Sequence, residues 1–547
     1  MKNFTIQLLI IIIGALFLVP GLGNVHLFDW DEINFAESAR EMIVTGNYLT
    51  VQINFEPFWE KPPLFIWMQV LSMKIFGINE LAARFPNVLC GILTLLVLFN
   101  IGKKLKNEKF GLIWVLMYFC SFLPFFYFKS GIIDPWFNLF IFTGIYYFIL
   151  FTNKNDNGNK YLQILFSAMF LGLAVLTKGP VGFLIFLLTF LVYFVFQRFR
   201  FNFSFNIKHI LLFITVFTFF GGFWFLLQIL NGNFNILKDF VTYQIRLFQT
   251  QDAGHGGFFM YHFVILLFGV FPASIIALPT FRPSILKDET DFSIKHFFNW
   301  MMILFWVVLL LFTIVRTKII HYSSMCFFPL TFLGAYFVCQ ILENKKKVNR
   351  LIKILLLIIA FFVGTVAVVI TFFDKVKHIF IHQFDEFTQG NLSANAEWYG
   401  FEWIFGIILI VSVVMFIIYD NKGLKERAFY CLTTGSLLFV SLSMYFITPQ
   451  VEKYTQSAII EFYKSKQGED CYIHSKFKSY APYFYAKQLP ENKNDDTNFL
   501  HRGKIDKPCY FVLRNTESKV TEFMKQAPDA ILLYEKNGFV FFVRWTE

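Results

Sequence analysis

The chain has 547 residues, of which 56% are hydrophobic, 16% are charged and 78 are phenylalanine. A soluble globule of this size could not bury so much apolar side chain, so the composition excludes a soluble enzyme and indicates a polytopic membrane protein. The formal net charge is +11. Most of that charge lies in short loops between apolar segments, where it reports membrane topology and gives no support to a nucleic-acid partner.

Apolar segments long enough to cross a bilayer recur up to residue 447. A spanning helix needs about 17–25 largely apolar residues. By that rule we predict thirteen transmembrane helices, near 5–23, 80–101, 110–128, 131–151, 161–176, 180–197, 209–230, 259–279, 298–315, 319–341, 351–373, 401–419 and 428–447. The first segment is too long for a signal sequence and lacks a small-residue cleavage site, so we interpret it as a span.

Lysine and arginine cluster in six loops at alternate ends of these segments. The loops contain Lys103, Lys104, Lys106 and Lys109; Lys154 and Lys160; Arg198, Arg200 and Lys208; Arg282, Lys287 and Lys295; Lys345, Lys346, Lys347 and Arg350; and Lys422, Lys425 and Arg427. The positive-inside rule predicts that all six are cytoplasmic. With thirteen spans, the N-terminus is then cytoplasmic, whereas the loop at 24–79 and the last hundred residues lie outside.

The predicted external loop at 24–79 is rich in charge, although it directly follows a span. Its motifs include Asp31-Glu32 and Glu60-Lys61-Pro62-Pro63. Charged side chains beside hydrocarbon are costly unless they surround a polar ligand, which favours a functional site. A solvated surface loop is the alternative. Apolar residues at helical spacing over 32–45 and 64–76 predict two amphipathic helices in the membrane interface.

Other predicted external loops contain lysine, arginine or histidine, although the positive-inside rule places most cations in cytoplasmic loops. They read Lys129-Ser130-Gly131-Ile132-Ile133-Asp134-Pro135, Thr177-Lys178-Gly179-Pro180, Arg246 with Gly254-His255-Gly256-Gly257, and Arg316-Thr317-Lys318-Ile319-Ile320-His321-Tyr322. A single lysine at this depth is explained by snorkelling. Cations that recur at several helix ends beside carboxylates instead suit a lipid-linked phosphate or pyrophosphate. A carboxylate there can take a proton from an acceptor or hold a divalent cation.

From about residue 448 the chain becomes polar, and its pattern predicts a small extracytoplasmic α/β domain over 448–547. We predict helices at 451–466, 479–488 and 517–526 and strands at 470–474, 508–514, 530–534 and 539–544. The last two strands flank Asn537-Gly538, a strong hairpin signal. No glycine-rich phosphate loop occurs there, so docking of an acceptor or shielding of a cavity is predicted rather than catalysis. Cys471 and Cys509 lie in this domain, where a disulfide is chemically permitted.

Several motifs follow one another in a characteristic order over roughly residues 1–450. They are Asp31-Glu32, Ala36-Glu37-Ser38-Ala39-Arg40-Glu41-Met42, Gly46-Asn47-Tyr48-Leu49, Glu60-Lys61-Pro62-Pro63-Leu64, Ala82-Ala83-Arg84-Phe85-Pro86, Ser130-Gly131 with Asp134, Leu176-Thr177-Lys178-Gly179-Pro180, Gly254-His255, and Arg316-Thr317-Lys318 with His321-Tyr322. This series resembles the GT-C glycosyltransferases, in particular the lipid A aminoarabinose transferases and their relatives among the protein O-mannosyltransferases. The resemblance implies a transmembrane catalytic domain over 1–447.

The resemblance also implies roles for individual residues. Asp31 matches the first-loop acid at the reaction centre, with Glu32 beside it, and Asp134 matches a second acid that lies near Asp31 around a metal or the acceptor. Lys61 matches the lysine that contacts the phosphate of the polyprenyl donor. Residues placed like those that line the donor phosphate or close the cavity are Lys178, Arg246, His255, Lys318 and Tyr322. A divalent metal held by Asp31 and Asp134 is therefore an expectation, and no other cofactor is implied.

One position departs from the aminoarabinose branch of the family. Those enzymes typically carry arginine two positions after the Asp-Glu pair, whereas this chain has Asn34. The departure concerns the choice of sugar and leaves the wider reaction class in place.

The implied activity is inverting transfer of a sugar from polyprenyl phosphate to a lipid A-like lipid, a glycan or a protein, on the periplasmic side of the bacterial inner membrane. Lys61 and further cations would stabilise the departing phosphate, and Asp31 would aim the acceptor, as general base if the acceptor is a hydroxyl. A transporter is an alternative, but it predicts internal repeats and ionisable groups at the midplane, which the sequence lacks. A non-catalytic assembly scaffold is another, and it would tolerate the loss of Asp31.

Overall fold

The computed structural model describes residues 2–198, 206–249 and 256–546. Up to the end of the first external loop, the elements are α1 (Lys2–Leu18), α2 (Asp31–Thr45), β1 (Gln52–Ile53), β2 (Glu56–Pro57) and α3 (Leu64–Phe76). The membrane part continues with α4 (Glu80–Leu105), α5 (Glu108–Phe119), α6 (Phe122–Phe128), α7 (Asp134–Thr152), α8 (Lys160–Lys178), α9 (Val181–Phe196), α10 (Ile207–Leu230), α11 (Phe234–Gln249), α12 (Tyr261–Gly269), α13 (Ala273–Ala277), α14 (Phe292–Ile314), α15 (Phe327–Leu342), α16 (Arg350–Thr371), α17 (Phe373–Val376), α18 (Glu386–Leu392), α19 (Trp403–Asn421) and α20 (Lys425–Leu442). The C-terminal part contains α21 (Thr448–Lys453), α22 (Ser457–Ser465), β3 (Tyr472–Ser475), α23 (Ala481–Tyr485), α24 (Thr497–Arg502), β4 (Cys509–Arg514), α25 (Glu517–Gln526), β5 (Ile531–Lys536) and β6 (Phe539–Arg544).

Each predicted span coincides with an apolar helix or with a bent pair of helices. Among the described residues, nine helices are long and apolar enough to cross a membrane, or up to 11 if each bent pair is one span. The predicted spans at 5–23 and 180–197 coincide with α1 and α9, which are shorter apolar helices. The many-helix membrane class is therefore confirmed, while the number of crossings stays a prediction.

Two predicted spans are bent, which hydropathy does not reveal. The angle is 79° between α5 and α6, and 108° between α12 and the turn of helix that follows Pro272. Ser121 Oγ lies 2.7 Å from Met117 O and 3.3 Å from Val270 O, so one hydroxyl serves carbonyl groups at both breaks. The two bends therefore contact each other and satisfy backbone groups that a broken helix leaves unpaired.

Five of the six predicted basic loops lie together at one end of the helix bundle, which we call the basic face; the loop with Arg200 falls partly outside the described residues. Ion pairs connect these five loops: Lys104–Asp156 at 2.8 Å, Lys106–Glu343 at 2.6 Å, Lys109–Glu426 at 2.5 Å, Lys346–Asp288 at 3.5 Å and Lys353–Asp420 at 2.5 Å. Gln7 Nε2 donates to Asn100 Oδ1 at 2.8 Å, which places the start of α1 beside the end of α4 near this face. An exposed pair such as Lys109–Glu426 contributes little free energy. All five pairs nevertheless show that the loops share one side.

The first external loop and the C-terminal part pack against each other at the opposite end of the bundle. One hydrophobic cluster includes Ile33 and Phe65 from the loop with Phe484 and Tyr510 from the C-terminal part. α3 has the predicted bounds and α2 begins one residue earlier than predicted, at Asp31; Gly46 ends α2 with a left-handed φ of 70°. The prediction that α2 lies in the membrane interface is wrong, because the structure buries this helix from Glu32 to Met42.

The C-terminal part contains a four-stranded sheet with strand order β3-β4-β6-β5. β3 and β4 are parallel, and the other neighbours are antiparallel. The hairpin at Asn537-Gly538 is confirmed, with left-handed φ values of 49° and 80°. The predicted loop before β4 contains α24, whose start is capped by Asp496. The predicted helix at 451–466 is broken into α21 and α22, and Cys471 and Cys509 are free thiols.

Candidate active site

A cavity of about 440 Å³ lies at the end of the bundle opposite the basic face, between the first external loop, the helix ends and the C-terminal part. We call it the central cavity. Its ionisable wall residues, apart from tyrosines, are Asp29, Asp31, Glu60, Lys61, Asp134, Lys178, Arg246, His321 and Lys478. Its apolar wall residues include Val181, Ile185, Phe312, Val315 and Ile319. The cavity therefore joins a charged region to an apolar one.

Asp134 and Lys178 form an ion pair on the cavity wall. Pro135, in the first turn, favours a helix start at Asp134, and Lys178 is the last residue of α8. Lys178 Nζ lies 2.6 Å from Asp134 Oδ1 and 5.6 Å from the centre of the Tyr322 ring. Asp134 is buried, with 3% of its surface exposed. Its carboxylate therefore holds the Lys178 ammonium in place beside the cavity.

Asp31 begins α2 and is the most accessible of the three predicted catalytic acids, Asp31, Glu32 and Asp134. Half of its side-chain surface is exposed, at 50%. His321 Nδ1 lies 3.5 Å from Asp31 Oδ2. His321 belongs to the short 3₁₀ helix that precedes α15, so the pair joins the first loop to a distant helix end. The structure thus brings Asp31, Asp134, Lys178, His321 and Tyr322 to one cavity.

Lys61 lies on the same wall beside an aromatic ring from α11. Its Nζ is 5.0 Å from the centre of the Tyr243 ring, and the guanidinium carbon of Arg246 is 5.2 Å from the same ring. The Tyr243 hydroxyl donates to Glu60 Oε2 at 3.1 Å. Burial lowers the pKa of Lys61, while the charges of Glu60, Asp31 and Asp134 act in the opposite direction. An anionic ligand would relieve part of this burial cost.

Glu32, predicted beside Asp31 in the reaction centre, lies off the cavity wall. Its carboxylate accepts from Arg84 Nε at 2.9 Å and from Arg84 Nη2 at 2.7 Å. The backbone N–H groups of Phe28 and Gly131 donate to the same carboxylate. Only 2% of Glu32 is exposed. The structure therefore gives Glu32 a scaffold contact, which joins the first loop to α4 and to the start of α7.

Lys318 and His255 complete the predicted set. Lys318 Nζ donates to the carbonyl oxygens of Phe312, Thr313 and Val315 at 3.0, 2.6 and 2.7 Å. It therefore caps the C-terminal end of α14, where cations stabilise the helix dipole, and it is not among the residues lining the cavity. His255 lies outside the described residues.

The donor set around Asp31 and Asp134 fits a protein-held metal poorly. The described part of the chain contains no group of three or more His, Cys, Asp or Glu side chains placed to hold a metal. The Asp134 carboxylate is bound by Lys178, whereas Ca²⁺ and Mg²⁺ take six or more oxygen ligands. The expected metal stays a prediction.

The sequence predicted that the C-terminal part docks an acceptor or shields a cavity, but it did not identify which of its residues reach the cavity wall. Asp29 Oδ1 accepts from the backbone N–H of Tyr480 at 3.0 Å, and Lys478 Nζ lies 4.2 Å from the centre of the Trp30 ring. Trp30 has a φ of 79°, a conformation rarely adopted by a bulky residue. Asp29 and Trp30 could have been found from their position before Asp31. Lys478 has no local signal, because only folding brings it to the cavity.

Comparisons with known proteins agree with this arrangement. Residues 60–224 match the family model described as dolichyl-phosphate-mannose-protein mannosyltransferase. The undecaprenyl phosphate-alpha-4-amino-4-deoxy-L-arabinose arabinosyl transferase of Photorhabdus laumondii is 23% identical over 401 residues, which cover 72% of this chain and 67% of that protein. The enzyme of the same name from Edwardsiella ictaluri is 26% identical over 358 residues, which cover 64% of this chain and 62% of that protein.

Solved structures share the fold over nearly the whole chain. ArnT from Cupriavidus metallidurans bound to undecaprenyl phosphate superposes with a TM-score of 0.73 at 15% identity, covering 98% of this chain and 97% of that one. Its apo structure gives a TM-score of 0.76 at 15% identity, covering 99% and 98%. With the family match over residues 60–224, these findings make the chain similar in sequence and fold to membrane glycosyltransferases of the GT-C class.

Within that class, the chain is similar to the aminoarabinose transferases and the protein mannosyltransferases. It is a multi-pass protein of the bacterial inner membrane.

Proposed function

We propose that this enzyme transfers a sugar from a polyprenyl phosphate donor to a lipid A-like lipid, a glycan or a protein on the periplasmic side of the inner membrane. The observation that carries the proposal is the central cavity, in which Lys61, Lys178 and Arg246 lie with Asp31 beside an apolar wall. The names of the relatives, which act with undecaprenyl phosphate, support the same donor class.

The cations and the apolar wall suit the two parts of such a donor. The side chains of Val181, Ile185 and Phe312 offer an apolar surface to an isoprenoid chain. Lys61 and Lys178 are placed to neutralise the phosphate as it departs, because charge-assisted contacts gain strength in a site that excludes water. Asp134 acts in this scheme through Lys178, whose position it holds.

Asp31 serves the acceptor in this proposal. Its exposed carboxylate can take the proton of an acceptor hydroxyl as that oxygen attacks the anomeric carbon. An acceptor that is already an ionised phosphate would need orientation only. His321 limits the positions that the Asp31 carboxylate can adopt. A single displacement inverts the configuration at the anomeric carbon.

The donor sugar is left general, as a pentose or hexose. Asn34, where the aminoarabinose transferases typically carry arginine, lines the central cavity. Its Oδ1 is buried and has no hydrogen-bond partner in the described part of the chain. The substituted position therefore lies where it can contact a ligand, which supports a difference in sugar or acceptor rather than in reaction class.

For topology, we propose a cytoplasmic N-terminus and a periplasmic C-terminal part. The basic face carries the loops that the positive-inside rule assigns to the cytoplasm, and the start of α1 lies near it. The C-terminal part contacts the first external loop at the opposite end. A reporter that is active only in the cytoplasm, fused after Glu547, should therefore be inactive, and an active fusion would overturn the proposal.

Donor binding by the purified enzyme tests the function directly. Lys61→Ala removes a charge-assisted contact worth roughly 1.5–3 kcal/mol, so the affinity for a polyprenyl phosphate should fall about tenfold to hundredfold. Lys74→Ala is the matched control, because Lys74 belongs to the same loop and lies 4.4 Å from the Tyr48 ring, away from the cavity. Equal affinities in wild type and Lys61→Ala would reduce Lys61 to a membrane anchor.

A further inference from the structure

Asn138 contributes a neutral amide to the wall of the central cavity, and the proposed contacts to phosphate and acceptor do not use it. It lies on α7, four residues after Asp134, so the two side chains are neighbours on one face of the helix. Asp134 holds Lys178, which contacts the donor phosphate in the proposed function. The amide is therefore about one helical turn from a group that binds the phosphate.

The hydrogen bonds around Asn138 determine which end of its amide stays free. Asn138 Nδ2 donates to Ser324 Oγ at 2.7 Å. Ser324 Oγ donates its single proton to the carbonyl oxygen of His321 at 2.5 Å, so towards Asn138 it can only accept. The amide nitrogen must therefore point to Ser324, which leaves Oδ1 as the free end.

Oδ1 of Asn138 is an unpaired acceptor on a side chain that is almost completely buried. Only 4% of Asn138 is exposed. Oδ1 has no hydrogen-bond partner within the described ranges, and unlike the buried amide oxygen of Asn87 it keeps surface that a ligand can reach. The cavity wall also contains Ile185 and Met325, whose side chains have no donor to offer. Because buried polar atoms are normally hydrogen-bonded, this oxygen favours a ligand that brings a donor.

The chemistry of the donor decides which of its parts suits Asn138. A polyprenyl phosphate sugar joins two groups to its phosphate, an isoprenoid chain and a sugar, and only the sugar has hydroxyl donors. An isoprenoid chain placed against Oδ1 would leave the acceptor unpaired and weaken binding. A sugar hydroxyl would satisfy it. The position of Asn138 one turn from Asp134 suits a group that is joined directly to the phosphate.

We propose that Asn138 is a specificity-determining residue for the donor sugar, and that its Oδ1 accepts a hydrogen bond from one hydroxyl of that sugar. Ser324 is the positioning residue that orients the amide. The assignment to the donor rests on the proposed function. A hydroxyl of the acceptor has the same chemistry and is the other source that the experiment distinguishes.

Two measurements on the purified, full-length enzyme test whether the amide contacts the sugar. The first is the affinity for undecaprenyl phosphate, which carries no sugar. The second is kcat/KM for transfer from radiolabelled polyprenyl phosphate sugars extracted from membranes. Asn138→Leu, which keeps the approximate size of the side chain, should retain the affinity and lower kcat/KM for the donor about tenfold. Ser324→Ala leaves Oδ1 in place but frees the amide to turn, so its kcat/KM should fall less, about threefold.

Asn153→Ala is the matched control. Asn153 follows the last residue of the same helix, and its Nδ2 also donates to a serine, Ser293 Oγ at 3.1 Å, but it does not line the central cavity. Both measurements should be unchanged in this variant. Unchanged kcat/KM in Asn138→Leu would overturn the proposal, and so would an equal loss of affinity for the lipid without sugar.

Acceptor kinetics identify the source of the hydroxyl. If it belongs to the donor sugar, KM for acceptors in a membrane extract should be the same in wild type and Asn138→Leu. A raised acceptor KM with unchanged donor kcat/KM would overturn the assignment to the donor and give the contact to an acceptor hydroxyl. Wild-type enzyme that transfers no sugar from polyprenyl phosphate would refute the proposed function, whereas equal transfer by wild type and Asn138→Leu would refute only the role of Asn138.

Discussion

The wall of the central cavity and the polar layer behind it use the same residue types for opposite purposes. On the wall, Asp31 is half exposed and faces His321 across 3.5 Å. Behind the wall, Glu32 is 2% exposed and is held by Arg84 and two backbone N–H groups. Consecutive residues of a helix point about 100° apart, so neighbours in sequence face different surroundings. A charged side chain whose partners satisfy it completely, as Glu32 is, belongs to the scaffold. A charged side chain that stays partly exposed, as Asp31 does, can contact a ligand.

The same contrast separates Lys318 from Lys61, two lysines at the end of the bundle that holds the central cavity. Lys318 gives its ammonium to three carbonyl oxygens of one helix end, which uses all three of its donors. Lys61 lies on an aromatic ring and on the cavity wall. Scaffold charges should therefore control stability, and wall charges should control reaction.

The largest expected effect is on turnover in Asp31→Asn. If the acceptor is a hydroxyl, loss of the general base should lower kcat about 10²–10⁴-fold, while the unfolding temperature stays the same because Asn keeps the shape of the side chain. Transfer of a radiolabelled sugar from a polyprenyl phosphate measures kcat, and a thermal scan measures the unfolding temperature. Full activity in Asp31→Asn would remove Asp31 from the chemistry and favour orientation of an ionised acceptor.

Removal of Arg84 should affect stability more than any wall substitution. Arg84→Met leaves the buried Glu32 carboxylate without its counter-charge, which costs about 3–5 kcal/mol. Adding Glu32→Gln to Arg84→Met should recover part of the loss, because the unpaired charge is then gone. Lys109→Ala, which breaks an exposed ion pair on the basic face, is the control and should change little. Denaturant unfolding in detergent measures the free energy of unfolding of all three variants. Equal losses of stability in Arg84→Met and Lys109→Ala would show that the buried ion pair is no more important to stability than an exposed one.

The smallest effect concerns the dependence of stability on pH. Burial raises the pKa of the Glu41 carboxyl, and the neighbouring Glu37 charge adds to the rise. The folded state therefore keeps this proton to a higher pH than the unfolded state, whose glutamates titrate near 4.3. The associated stability is fully present below that pH and is lost as pH rises towards the raised pKa.

Glu41→Gln removes the titrating group and should flatten this decline. Free energies of unfolding measured between pH 5 and 8 for wild type and variant test the expectation. Parallel pH profiles for the two proteins would show that Glu41 does not carry the effect. Glu108→Gln is a suitable control, because that carboxyl lies in an exposed ion pair on the basic face.

The positions of the helices could be predicted because apolar length is a local property of the chain. The bounds of α2 and α3 also followed from local signals, such as the left-handed Gly46 that ends α2. Lys61, Asp134 and Lys178 were expected at one site from their order and their resemblance to a family, and all three line the central cavity. The amphipathic α11, which supplies Tyr243 and Arg246, was missed although its apolar residues recur at helical spacing.

The sequence by itself determined the membrane class, the grouping of the basic loops and the set of charged helix ends from which the site is built. It determined these because hydrophobic length and charge act locally on how a chain enters a bilayer. Only the tertiary structure decided that Asp31 faces the cavity while Glu32 binds Arg84, and that Lys478 joins a wall formed by residues far away in the chain. Those outcomes depend on how helices rotate and pack against distant partners, and no local pattern contains that information.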